Sequence, residues 1–195
     1  LMSLNNAAQQ FLNDFIPRTD VDSVDTIKEF LSVSNSLSVD ILDEAITLAA
    51  KYGWIEIIVT LQEYGANPHN HDFKPINIAA LNGQLETVQY LHSQMGESFI
   101  NAAPTIIRSA ASSGSVEVVR YLHSNGADLN DCINLVPNLI NNISNLPILK
   151  YFAEQGVEKN APSVFFLRNV LKNSNIDLMS LNNAAQQFLN DFIPR

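Results

Sequence analysis

Residue types able to do chemistry are few in this 195-residue chain, and most of them are scattered. The densest group is His69-Asn70-His71-Asp72. Two imidazoles and a carboxylate at that spacing are donors that can hold a transition metal. Pro68 precedes them, and Asn, His and Asp after a proline are ordinary turn chemistry, so the group reads as a polar tip and no metal or other cofactor is expected. Cys132 is the only cysteine. A thiolate nucleophile needs a neighbouring base and an oxyanion site, and nothing in the sequence sets a histidine beside it, so Cys132 reads as a small half-buried residue. His92 and His123 each follow a Tyr-Leu pair, which makes them equivalent positions of a repeat and not a catalytic couple. Asp43-Glu44 stands near a helix start, where carboxylates favour the dipole. With no HExxH, GxSxG or phosphate-cradling glycine loop, no enzyme is expected.

The elements that must position these residues are themselves repeated. Leu48-Ala49-Ala50-Lys51-Tyr52-Gly53-Trp54-Ile55-Glu56-Ile57-Ile58 aligns with Ile78-Ala79-Ala80-Leu81-Asn82-Gly83-Gln84-Leu85-Glu86-Thr87-Val88 and with Ser109-Ala110-Ala111-Ser112-Ser113-Gly114-Ser115-Val116-Glu117-Val118-Val119. Each line runs on to an apolar residue or pair and a glycine turn: Leu61 with Gly65-Ala66-Asn67, Tyr90-Leu91 with Gly96, Tyr121-Leu122 with Gly126-Ala127-Asp128. A fourth copy keeps Ile140, Ile143, Leu146, Ile148, Tyr151-Phe152 and Gly156 but has Asn141-Asn142 where Ala-Ala belongs. Equivalent glycines lie 30 to 31 residues apart, the range of stacked two-helix units. Paired alanines let a first helix approach its neighbour closely, and the glycine four residues on ends it in the left-handed conformation. The second helix then shows Ile55, Ile58, Leu61 or Val116, Val119, Leu122 on one face, which only an adjacent unit can cover. Trp54 breaks the pattern, because its siblings Gln84 and Ser115 are polar. It is either a binding anchor or a ring that packs over Tyr52 or against the N-terminal cap.

Ala-Ala, Gly, Leu-Glu-Thr-Val or Val-Glu-Val-Val, Tyr-Leu and Gly-Ala-Asp-Leu-Asn together resemble the ankyrin repeat family, and Ser109 to Asn130 carries nearly all of that pattern. The resemblance covers about Ile41 to Asp131 and weakens toward Val157. The family's Thr-Pro-Leu-His opening survives only as Lys74-Pro75-Ile76-Asn77, and the units are two or three residues short of the usual length. The fold it implies is an all-α solenoid of stacked antiparallel helix pairs with short or absent finger hairpins. Four repeats fall at about 38–73, 74–103, 104–135 and 136–160, between divergent capping helices over 1–37 and a capping unit over 161–195. By the same resemblance the chain is a scaffold or adaptor that binds another protein on a concave face made of turn tips and exposed first-helix positions. Those positions are Lys51, Asn67, His69, Asn70, His71, Asp72, Asn77, Leu81, Arg108, Ser112, Asp128, Asn130 and Asp131, with Trp54 as the candidate anchor. Degenerate, Asn-rich chains of this look are common in large DNA viruses and intracellular bacteria, where many redirect host proteins.

Charge narrows the partner. A net −9 with no basic stripe leaves nothing to neutralise phosphates, so nucleic acid is excluded and a basic protein surface is the easier match. No apolar run approaches eighteen residues and no signal peptide is visible, so no membrane span is expected. The single cysteine fits a reducing, cytoplasmic setting, which would be the host cytosol for a pathogen protein.

The two ends add a separate hint. Leu1 to Arg18 recurs without change as Leu178 to Arg195, with Leu178, Leu181, Ala185, Phe188, Leu189 and Phe192 forming an apolar stripe at helical spacing. Such a segment suits a cap at either end, and it opens an alternative in which the chain self-assembles head to tail through 1–18 and 178–195. A start at Leu1 followed by Met2 reads as a fragment of a longer chain.

Overall fold

The computed structural model describes residues 22–33, 38–139 and 143–155. Among them every regular element is helical and none is a strand, so the positions of the finger hairpins are taken by turns. The chain divides between Ala102 and Ala103 into two compact units. The duplicated end segments 1–18 and 178–195, and the rest of the capping unit expected over 161–195, lie outside the described residues.

The first unit contains α1 (Asp22–Val33), α2 (Val39–Tyr52), α3 (Ile55–Glu63), α4 (Asn70–Leu81) and α5 (Leu85–Ser93), and α6 (Ser98–Ser113) spans the division. The first helices α2 and α4 pack on each other, and each pairs with the second helix that follows it. Ala45, Ala49, Ala50, Ala79 and Ala80 are almost fully enclosed, which is the close approach that small side chains permit. The Ala-Ala-x-x-Gly spacing has a direct mechanical reason. Trp54 N donates to Ala49 O at 3.0 Å and Gly53 N to Ala50 O at 3.4 Å, with Gly53 at φ 79°, so the alanine carbonyls and the glycine together close the helix end. Gln84 with Gly83 and Ser115 with Gly114 repeat the same pair of bonds on Ala79-Ala80 and Ala110-Ala111.

The second helices bury a stripe set slightly differently from the sequence expectation. Ile57, Ile58 and Leu61 are buried in α3, as are Thr87, Val88 and Leu91 in α5, whereas Ile55 and Leu85 are only half-buried. The first residue of each second helix sits at the mouth of the turn, and the helix rolls its next turn inward. α1 packs on α3 through its buried Ile27 and Leu31, as a divergent end unit would.

The second unit begins within α6 and continues through α7 (Val116–Ser124), a 3-10 helix Leu129–Leu135, the four-residue α8 (Val136–Leu139), a 3-10 turn Ile143–Asn145 and α9 (Leu146–Glu154). In α7 the buried stripe is Val118, Val119 and Leu122, with Val116 half-buried. Ahead of Asn141-Asn142, where the sequence predicts a fourth first helix, the described residues form the 3-10 segment and then α8. Their buried Leu129, Cys132, Val136 and Leu139 still supply a core. α9 packs on α7, and Pro147 falls in its first turn, where the missing N–H costs nothing.

Side chains lock neighbouring repeats at matching positions. The Gln84 amide lies over Gly53 and donates through Nε2 to Lys51 O at 3.2 Å, and Asn145 lies over Gly114 while its Nδ2 donates to Leu139 O at 3.0 Å. One repeat position further out, the Tyr90 hydroxyl donates to Gln62 Oε1 at 2.8 Å, and the Tyr151 hydroxyl lies 2.7 Å from His123 Nδ1. His123 therefore belongs to the repeat framework, as its register with His92 implies. His92 packs its ring 4.1 Å from that of Phe99, and burial lowers its pKa.

Candidate functional site

Three groups of candidate residues emerge, two in the first unit and one in the second. The first is the turn after α3. Asn67 N donates to Asp43 Oδ1 at 2.7 Å, and Asn67 Oδ1 in turn accepts from His69 N at 2.9 Å. Asp43 is buried, so it tethers this turn to α2; it stands beyond the first turn of that helix, where the acidic residue is Asp40, and its expected dipole role is corrected accordingly. His69 lies half-buried with its ring edge-on to Phe73 at 5.7 Å. Asp72 is exposed, and the backbone turns left-handed there and at Phe73 (φ 56° and 63°), a costly conformation for non-glycine residues. Asn77 Nδ2 secures this bend by donating to Phe73 O at 3.1 Å and Asp72 O at 3.3 Å, while Asn77 Oδ1 is buried with no hydrogen-bond partner among the described residues. Asn70 and His71 occupy the first turn of α4, and their side chains lie outside the described residues. Among the described residues no three His, Cys, Asp or Glu side chains gather as metal ligands.

The second group lies at the other end of the first helices. Asp43 and Lys51 are eight residues apart on α2, which is about 12 Å along its axis, so Lys51 stands well away from the Asn67 turn. Here Trp54 stacks on Tyr52 with ring centroids 4.9 Å apart and planes 25° from parallel, and Lys51 Nζ lies 5.3 Å from the Tyr52 centroid. Of the two readings of Trp54, packing over Tyr52 is the one the geometry displays. Leu81, the α4 equivalent of Lys51, is 44% exposed. The fourteen candidates thus do not form one patch: in the first unit they split between the two ends of the helices.

The third group belongs to the second unit. The Asp128 carboxylate accepts from Asn130 N at 2.8 Å and Asn130 Nδ2 at 2.9 Å, which fixes both exposed residues in an Asx turn that opens the 3-10 helix. Asp131 follows, half-buried. Arg108 is half-buried and donates to Thr105 Oγ1 at 3.3 Å, and the exposed Ser112 returns its hydroxyl to Arg108 O at 2.8 Å. Cys132 is fully enclosed, deeper than the half-buried position expected, because the 3-10 helix turns it into the core. Burial, then the charge of Asp131, push its thiol up to about 12; Arg108 opposes this and Asp128 adds to it. A thiol so shielded is a packing residue and no nucleophile.

Sequence reasoning gave Asp43 a different role and missed the ties made by Gln84 and Asn145. The last two carried a readable signal, since each follows the glycine it covers by 31 residues. Asp43 carried none.

Residues 46–133 match the family model for ankyrin repeats in three copies. Residues 46–133 are ankyrin repeats. The matched span runs from α2 to the 3-10 helix, so it takes in α2/α3, α4/α5 and α6/α7 as the ankyrin helix pairs. No curated protein matches the chain. Ankyrin repeats are protein–protein interaction modules, and the family is typically a non-enzymatic scaffold. Among the described residues no helix is long and apolar enough to cross a membrane.

Proposed function

We propose that this ankyrin-repeat protein is a scaffold or adaptor that holds a partner protein with a basic surface on the turn tips and exposed first-helix positions of its repeats. The observation that carries this reading is that the tips are fixed before any partner arrives. Asn67 is tied to the buried Asp43, Asn77 pins Asp72, and Asp128 holds Asn130. A surface already ordered loses little conformational freedom on binding, so few contacts are needed for useful affinity. Lys51, Trp54, Asn67, His69, Asn70, His71, Asp72, Asn77 and Leu81 are assigned to the first unit's contact surface, and Arg108, Ser112, Asp128, Asn130 and Asp131 to the second's. The net charge of −9 favours a cationic partner and steers its approach. Reducing, cytoplasmic surroundings fit the lone Cys132. In a pull-down followed by mass spectrometry, Asn67→Lys with Asp72→Lys, and separately Asp128→Lys with Asn130→Lys, lose the proteins the parent chain retains. Unchanged capture by both pairs rejects this mapping.

A second reading rests on the identity of residues 1–18 and 178–195. A face that accepts one copy accepts the other, so copies of the chain can join head to tail in a heterologous contact. Light scattering of the full chain then shows concentration-dependent growth that free Leu1–Arg18 peptide suppresses. A monomer at every concentration removes this alternative.

A further inference from the structure

The end of the first unit formed by Lys51, Tyr52, Trp54 and Leu81 differs from its counterpart in the third repeat. The equivalent third-repeat positions Ser112, Ser113 and Ser115 carry only short hydroxyls, and two of those are bonded to each other, Ser113 Oγ to Ser115 Oγ at 2.9 Å. In the first unit the same positions present a 39% exposed tyrosine stacked on a tryptophan in one repeat and a 44% exposed leucine in the next. Gln84 ties the two turns together by bonding Lys51 O, and each turn runs into a second helix whose first turn carries an exposed carboxylate, Glu56 two residues beyond Trp54 and Glu86 two beyond Gln84. The Tyr52 ring already attracts a cation, the chain's own Lys51 ammonium at 5.3 Å. Lys51 is exposed and sits on a flexible stem, so an incoming group can displace it.

We infer that this edge receives an arginine side chain of the partner protein, its guanidinium taking the place of Lys51 over Tyr52 and pairing with Glu56 or Glu86. The inference rests on the protein-binding reading above and names the chemistry of one contact within it. Charge complementarity selects the occupant. Among the described residues of the first unit the cations are only Lys28, Lys51 and Lys74, while carboxylates stand exposed at Asp40, Glu44, Glu56, Glu63, Asp72, Glu86 and Glu97. A planar guanidinium stacks on an aromatic face and pairs with a carboxylate at the same time, which a compact ammonium does less well.

Trp54 is the chain's only tryptophan, so its emission reports on this edge without labelling. The probe is a blocked tetra-arginine peptide, with tetra-lysine and uncharged tetra-citrulline as comparisons. Saturable change of Trp54 emission is expected with arginine, weaker binding with lysine and none with citrulline. Tyr52→Ser lowers the affinity about tenfold. Glu56→Gln with Glu86→Gln lowers it as well, and all these positions are exposed, so unchanged helical circular dichroism verifies the fold. Lys51→Ala gives the decisive sign: removing the resident cation tightens arginine binding about threefold. Weaker binding in Lys51→Ala means that the Lys51 stem supports the bound peptide and does not compete with it for Tyr52, and overturns the inference. Equal titrations for arginine and lysine that ignore Tyr52→Ser mean diffuse charge attraction and overturn it too. If the peptide ignores Tyr52 while the Asn67 and Asp72 substitutions still abolish capture, the protein-binding reading stands and this contact falls.

Discussion

Cys132 shows how a single residue couples packing to pH. Its thiol is enclosed by the 3-10 helix and the second unit's core, and burial with Asp131 moves its pKa from the ordinary 9.0 to about 12. Below pH 9 both folded and unfolded chains keep the proton, so nothing changes there. Above it the unfolded chain releases the proton while the native one keeps it, and native stability falls until the folded thiol ionises near 12. Denaturant midpoints at pH 8 and pH 10 read this directly. The parent chain is expected to lose up to about 1.4 kcal/mol more across that interval than Cys132→Ala, since a shift of one pH unit is worth that much per proton. Equal losses would mean the thiol reaches water in the native state. The same residue shows where sequence stops informing: a lone cysteine can be judged unreactive from the absence of a nearby base, but its depth depends on a 3-10 turn that no local pattern announces.

At the scale of helices and turns, local chemistry was legible and non-local ties were not. Ala-Ala-x-x-Gly specifies a helix end through bonds made within six residues, so the turn geometry at Gly53, Gly83 and Gly114 follows from the sequence alone. The tether from Asp43 to Asn67 joins residues 24 apart and left no pattern to read. Tyr52 carried the same signal as Trp54, since its sibling positions Asn82 and Ser113 are polar, but it was read only as a surface for Trp54 to pack over. A glycine comparison separates the two kinds of constraint. Gly65 has φ 98° with open space where a Cβ would stand, whereas Gly53 has φ 79° and a Cβ there would come within 2.6 Å of Gln84 Oε1. Gly65→Ala should cost about 1–2 kcal/mol from left-handed strain. Gly53→Ala should cost about 1 kcal/mol more, because Gln84 must swing away and give up Lys51 O. The excess should vanish when Gln84→Ala is the background, as a double-mutant cycle by urea unfolding would show. An excess that survives would place the strain in the backbone and leave Gln84 without a role.

Across the whole molecule, stability in a stack of repeats is a sum of unit and neighbour terms, so one poor unit sets a local weak point. The degeneracy of the fourth repeat was visible as Asn141-Asn142 in place of the alanines. The 3-10 segment that stands ahead of those asparagines, where the sequence predicts a fourth first helix, had to be seen. The sixteen-residue α6 and the nine-residue α7 carry continuous helical hydrogen bonds beside the buried Ile106, Ile107, Val118 and Val119, so opening them breaks a cooperative block. The described residues among 138–150 hold the end of α8, a 3-10 turn and the first part of α9 with Pro147, which donates no backbone bond of its own. Amide exchange should therefore be faster over 138–150 than over 105–125, and uniform protection would contradict the weak-unit account. Asn145 refines the expectation, because it bonds Leu139 O from one side and lies over Gly114 with the other. Asn145→Ala should speed exchange in 138–150 further while leaving 105–112 in α6 close to the parent rate, since those amides rely on their own helix. Acceleration of both segments together would show that the fourth repeat opens only when the third does, and the second unit would then have to be treated as a single cooperative block.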